Sequence, residues 1–252
     1  MYTTIRVDER GPIARITLDR PDKRNPIGPA TCGELVAAFG TLKAATDVRV
    51  VILTGAGAVF SAGGDLSAMQ QPSGPTATLV ELFTTMHELG KPIIAMVNGH
   101  ALAGGLGLMV ACDLVIASDQ AQFGTTEIAV GLWPMMITAE ITRSVGRKKT
   151  LEMMLTGRKL ASAEAVECGL VNRAVPPDQL ETATMQLATE IAERSPAAIK
   201  LGLHAFYRSQ DMELEPQLRY LEAELGRVLA LEDAAEGITA FLQKRKPVWK
   251  GK

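Results

Sequence analysis

The sequence predicts an α/β fold of repeated strand–loop–helix units followed by a helical C-terminal region. Three observations carry that expectation. Two nearly unbroken apolar runs, Val48–Thr54 (VRVVILT) and Pro92–Val97, read as strands buried on both faces. Each leads into a glycine-rich loop and then into helical periodicity, as α/β units do. Beyond residue 135 the pattern is helical almost throughout. With 252 residues, 47% hydrophobic and 21% charged, the chain has a globular balance and room for one large domain or two small ones.

The elements follow in order. Tyr2–Leu18 reads as two short strands turning at Gly11-Pro12, and Asp19–Pro29 as a charged, proline-rich loop. A helix is expected over Ala30–Ala45, with Leu35, Val36, Phe39 and Leu42 on one face. The strand Val48–Thr54 enters the loop Gly55–Leu66. A helix over Leu79–Leu89, the strand Pro92–Val97, the turn Asn98-Gly99 and a helix ending near Ala111 repeat the unit. Strands at Leu114–Ala117, Ala121–Gly124 and Leu170–Val175 complete the β content. Ser162 and Ser195-Pro196 read as helix N-caps, and Met212–Leu231 and Asp233–Lys244 as amphipathic helices. The basic tail KRKPVWKGK reads as a solvated end. The division expected is 1–195 for the core and 196–252 for a C-terminal helical subdomain.

Composition argues against several function classes. A net charge of −2 and 4% aromatics do not suit a nucleic-acid-coating protein. Cys32, Cys112 and Cys168 are odd in number and widely spaced, which fits free thiols in a reducing, cytoplasmic setting rather than disulfides or zinc. His87, His100 and His204 form no HxxxH pair, so no metal is expected. Four charged residues in Met1–Arg10 leave no apolar signal core. Pro92–Cys112 is uncharged and long enough to span a bilayer, but Pro92, the Asn98-Gly99 pair and three further glycines read better as strand, turn and helix start.

Three stretches can carry chemistry. FSAGGDL (Phe60–Leu66) offers small residues behind a buried strand, so a ligand can approach backbone N–H groups. Read alone, it is equally a tight strand–helix connection. NGHALAGGLGL (Asn98–Leu108) opens a helix whose N-terminus carries free donors; it lacks the GxGxxG dinucleotide pattern. Two such loops on adjacent strands can offer two donors to one carbonyl oxygen. In AQFGTTEIAVGL (Ala121–Leu132), Glu127 sits among small and apolar residues that can raise its pKa for acid–base work; the plain alternative is a surface glutamate.

Together with PDKRNPI (Pro21–Ile27), the segment Leu155–Ala163 and GLVNRAVP (Gly169–Pro176), these motifs resemble the crotonase superfamily, the enoyl-CoA hydratase/isomerase family, in order and spacing over almost the whole chain. The resemblance implies a spiral of β-β-α turns with a helical C-terminal trimerisation region, assembling as homotrimer or homohexamer. It implies no permanently bound cofactor, coenzyme A being part of an acyl-CoA substrate. It assigns the oxyanion N–H donors to Gly64 and Gly104 and the catalytic carboxylate to Glu127. It places Ser61, Ala62, Gly63, Asp65 and Leu66 along the coenzyme A, with Arg24 at its phosphates. Phe241 and Lys244 match positions that reach the coenzyme A of a neighbouring subunit. His100, Gly105 and Trp133 are expected as pocket-wall residues.

The departures from the family pattern bear on the reaction. Family hydratases use two glutamates twenty positions apart; the second matches Glu127, and Gly107 stands at the first. The acid that dienoyl-CoA isomerases keep eight positions after Glu127 is here Met135. Trp133-Pro134-Met135-Met136 replaces a glycine-rich stretch and is expected to reshape the acyl pocket. The expectation is an enzyme that shifts a double bond, 3-enoyl to 2-enoyl, with one glutamate. A 2-enoyl-CoA hydratase with another way of holding water, and an acyl-CoA-binding protein with little catalysis, are the alternatives.

Overall fold

The computed structural model describes residues 2–65 and 76–252. Strands β1 (Ile5–Arg10) and β2 (Ile13–Leu18) form an antiparallel hairpin around Gly11, whose φ of 60° suits the turn. Helix α1 (Pro29–Ala44) starts with proline, whose fixed φ and missing N–H suit a first turn, and leads to strand β3 (Val50–Gly55). Helix α2 (Leu79–His87) begins with a capping box in which Thr78 and Glu81 satisfy each other's backbone N–H groups. Strands β4 (Ile93–Val97) and β5 (Ala101–Leu102) precede helix α3 (Gly104–Val110). Strands β6 (Leu114–Ser118) and β7 (Gln122–Gly124) precede a 3-10 turn, Thr126–Val130, and helix α4 (Met135–Thr156), which breaks at Gly146 with φ 74°.

The remainder comprises strand β8 (Leu160–Ala161), helix α5 (Ser162–Glu167), strand β9 (Arg173–Val175) and helices α6 (Leu180–Ala192), α7 (Pro196–Ser209), α8 (Leu214–Leu229) and α9 (Glu232–Leu242). One sheet has the order β1-β2-β3-β4-β6-β9, parallel from β2 onward; a smaller one has the order β5-β7-β8. Each repeat therefore places its first strand (β4, β6) in the large sheet and its second (β5, β7) in the small one. That alternation generates the β-β-α spiral.

The central strands are buried on both faces, as their unbroken apolar runs require. Val51 and Leu53 of β3 face the core under α1 and α2, whereas Val50 and Ile52 face Leu180, Ala188 and Ala192 of α6. The uncharged run Pro92–Cys112 divides into β4, β5 and α3, and no helix among the described residues is long and apolar enough to cross a membrane.

One local expectation is corrected. Ser162 does not cap α5: its hydroxyl donates to the carbonyls of Ser118 and Ala121 at 2.8 and 3.0 Å, tying α5 to the β6–β7 corner, and Ala161 takes the cap position. Ser195 does cap α7, accepting from the N–H of Ala198 at 3.1 Å. The basic tail is exposed over most of its length, as expected of a solvated end, but it is tied to the fold. Buried Asp233 accepts from the N–H groups of Lys250 and Gly251 and from the Ser195 hydroxyl, while the Trp249 indole donates to the Glu193 carbonyl at 2.7 Å.

Candidate active site

Two glycine-rich loops meet where β3 and β4 end. A parallel bridge pairs Ser61 with Ala101; the Ser61 N–H donates to the His100 carbonyl and the Leu102 N–H to the Ser61 carbonyl. Approach this close needs Gly105: a Cβ there would stand 2.5 Å from both Cβ and Oγ of Ser61. The first loop is also tied to Pro21–Ile27. The Ala62 N–H donates to the Arg24 carbonyl at 2.9 Å, and a second bridge joins Ile27 to Gly64.

Of the four loop residues that line the cavity described below, these bonds occupy the N–H groups of Ala62 and Ala103 and leave two without an acceptor among the described residues. The Gly63 N–H donates to Ser61 Oγ at 3.2 Å and its carbonyl accepts from Ile27 at 2.7 Å. The N–H groups of Gly64 and Gly104 find no protein acceptor among the described residues. Gly104 is the first residue of α3, where no intrahelical partner exists. A Cβ on Gly104 would lie 3.7 Å from the Gly64 nitrogen and within 4 Å of nothing else, so the two donors border one open space. Ala103, immediately before, is held at φ 49°, ψ −130°, a conformation costly for a residue with a side chain. Its N–H donates to the Gly124 carbonyl at 2.8 Å, which fixes the direction in which the next peptide faces.

The open space belongs to a cavity of about 370 Å³. Ala62, Gly64, Ala103 and Gly104 form one side; Ile27, Leu79, Leu132, Trp133, Met136 and Ile137 supply apolar walls. Glu127 is the one ionisable side chain among the described lining residues. Burial raises its pKa above the usual carboxylate range and outweighs a backbone hydrogen bond that acts the other way. Its Oε2 is buried with no hydrogen-bond partner among the described residues. The 3-10 turn that carries it is closed by the Leu132 N–H donating to the Glu127 carbonyl and by Gly131 in the left-handed region.

The structure brings Gly64, Gly104, Ala62, Glu127 and Trp133 of the sequence-derived set into this one cavity. Ser61, Gly63 and Gly105 stand behind it as the stitching described above. Asp65 is buried and paired with Arg20 at 2.8 Å. Arg24 is exposed beside the first loop, in the left-handed conformation. His100 does not line the cavity, and its Nδ1 is buried without a partner among the described residues. Phe241 and Lys244 are exposed at the end of α9 and do not line the cavity of their own chain. Leu66 lies outside the described residues.

Sequence reasoning did not find Ile137. A Cβ on Gly107 would lie 2.0 Å from Ile137 Cγ2, 2.7 Å from its Cβ and 3.4 Å from Phe83 Cζ. No side chain fits at residue 107 while Ile137 stands there. Ile137 lies where the sequence pattern turns helical, and the contact between α3 and α4 appears only in the fold. Glu140, three residues on, does not line the cavity and lies 3.5 Å from His87.

The arrangement can polarise one carbonyl oxygen with two N–H groups and move a proton with one carboxylate. The comparisons show the family. The profile of the enoyl-CoA hydratase/isomerase family matches residues 8–252. The 2,3-dehydroadipyl-CoA hydratase of Escherichia coli is 36% identical, over 94% of this chain and 94% of that one. A crystal structure of an enoyl-CoA hydratase from Mycobacterium smegmatis superposes with a TM-score of 0.91 at 31% identity, covering 98% of this chain and 99% of that one. That of human enoyl-CoA hydratase domain-containing protein 3 gives 0.89 at 35% identity, covering 98% and 100%. The protein is an enzyme of the enoyl-CoA hydratase/isomerase family, whose members act on acyl-CoA substrates, and it has the crotonase fold.

Proposed function

We propose that this enzyme isomerises 3-enoyl-CoA to 2-enoyl-CoA thioesters, with Glu127 as the only acid–base group. The observation that carries this reading is the single carboxylate among the described cavity-lining residues, half-buried, with Oε2 unpartnered among those residues, and in the same cavity as the free N–H groups of Gly64 and Gly104. The thioester oxygen accepts from both N–H groups. Ionised Glu127 takes a proton from C2, and the electron pair delocalises onto that oxygen as a dienolate. Glu127 then returns the proton at C4, the pair shifts back, and the double bond lies between C2 and C3. Nothing is added or lost. Each oxyanion donor is worth ~10²–10³ in rate and the positioned base ~10²–10⁴.

Syn hydration needs a water held and activated beside the substrate, and with Gly107 the second carboxylate that would hold it is missing. Relatives named as hydratases favour hydration as the second reading. Glu127→Gln separates catalysis from binding: 3-enoyl turnover should fall by at least ~10²-fold while acyl-CoA affinity is retained. Unchanged turnover would refute the mechanism.

The same reading places the coenzyme A along the first glycine loop, with Arg24 near its phosphates. It assigns assembly as a trimer or a hexamer in the cytoplasm, with Phe241 and Lys244 serving a neighbour's substrate. The exposure of Phe241, at 82%, and a row of exposed leucines on α8 support assembly.

A further inference from the structure

We propose that Ile137 determines which reaction the site performs, by filling the room of a second acid and keeping that part of the cavity dry. The inference rests on the reading of Glu127 as the lone base. Gly104 and Gly107 lie three apart on α3, so they share a helix face one above the other. A side chain at residue 107 would therefore project next to the Gly104 oxyanion donor. Ile137 reaches that place from the first turn of α4, with Cγ2 2.0 Å from where a Gly107 Cβ would be. Its side chain lines the cavity, yet the residue is only 2% exposed.

Two features make Ile137 a fixed plug. A β-branched side chain in a helix has one strongly preferred χ1 rotamer. Phe83 backs the same spot, its Cζ 3.4 Å from the built Cβ. A water needs two to four polar partners to be held, and neither Ile137 nor Phe83 offers one. The proton taken from C2 returns at C4, and the 2-enoyl product then leaves unhydrated, because no held water stands ready to add at its C3. Gly107 is at once the lost acid and the residue that lets α4 come this close, so a carboxylate at 107 can return only if Ile137 gives way.

The test compares Ile137→Ala, Gly107→Glu and the double variant Gly107→Glu/Ile137→Ala with wild type. Water addition to 2-enoyl-CoA is measured as 3-hydroxyacyl-CoA formed, beside isomerisation of 3-enoyl-CoA. Ile137→Ala should raise the ratio of hydration to isomerisation at least threefold. The double variant should raise hydration itself at least about tenfold over wild type, a small part of what a positioned base supplies. Gly107→Glu alone should melt well below both.

The proposal is overturned if Ile137→Ala, folded by its melting temperature and binding acyl-CoA, keeps the wild-type ratio. It is equally overturned if wild type hydrates as fast as the double variant, or if Gly107→Glu alone folds and hydrates as well. Failure of the isomerase reading shows separately, as wild-type enzyme that makes no 2-enoyl product from 3-enoyl-CoA.

Discussion

Glu127 carries an electrostatic cost that its proposed role explains. Its carboxylate is partly desolvated and Oε2 lacks a partner among the described residues, so the charged form is disfavoured in the fold. A carboxylate with a raised folded pKa lowers stability above that pKa, and the penalty disappears as pH falls through it. Two outcomes follow. Glu127→Gln should melt no lower than wild type at neutral pH, despite losing turnover; a fall of several degrees would mean that the carboxylate is held by a partner. The kcat/KM of isomerisation should rise with pH as Glu127 ionises, with its midpoint above the ordinary glutamate value of 4.5. A midpoint at or below that value in a pH profile would contradict the burial argument. At this scale the sequence was legible where the signal is local: Glu127, Gly64 and Gly104, which line the cavity, stand out in their own motifs. The meaning of Gly107 was only half legible. The missing acid shows in the motif, but the isoleucine filling its place lies thirty positions later.

Among the elements, the contrast between two neighbouring glycines gives the sharpest prediction. Gly104→Ala adds a methyl in open space 3.7 Å from the Gly64 nitrogen, so the protein should fold normally. That methyl intrudes where the proposed mechanism puts the thioester oxygen, and kcat/KM should fall at least tenfold. Gly105→Ala drives a methyl into Ser61 at 2.5 Å, so it should lower the melting temperature before activity is considered. Thermal melts and steady-state kinetics of the two variants should show opposite patterns; equal stability loss in both would refute the assignment of open space at Gly104. The buried strands β3 and β4 were readable because burial on both faces leaves an unbroken apolar run. The two-residue strands β5 and β8 were not, since they have too few residues to show a period. Ser162 misled because serine before a helix usually caps it, whereas here its hydroxyl serves the distant carbonyls of Ser118 and Ala121.

Over the whole molecule, the spiral gathers segments far apart in the chain around one cavity: Ile27, the first glycine loop with Ala62 and Gly64, Gly104, Glu127 and Ile137. The tail is tied down by a second long-range set of contacts. Asp233 accepts from two tail N–H groups and the Ser195 hydroxyl, so Asp233→Ala leaves three donors without their acceptor. It should cost about 2–4 kcal/mol and expose residues 246–252 to protease; unchanged stability and protection would show that the strap contributes nothing. Such long-range ties were not legible, since a basic tail looks solvated until its partner is placed beside it. On α8, Leu218 and Leu225 are 58% and 56% exposed on one face. If that face joins subunits, Leu218→Asp/Leu225→Asp should reduce the mass in light scattering to that of one chain; an unchanged mass would place the interface elsewhere.

In the proposed reaction the one carboxylate among the described cavity-lining residues moves a proton and adds no water. Matched 3-enoyl-CoA and 2-enoyl-CoA should be incubated separately with the purified enzyme and the products identified by mass and chromatography. The account predicts conversion of the 3-enoyl compound to its 2-enoyl isomer at unchanged mass, with little water added to either. Efficient gain of one water by the 2-enoyl compound would contradict it.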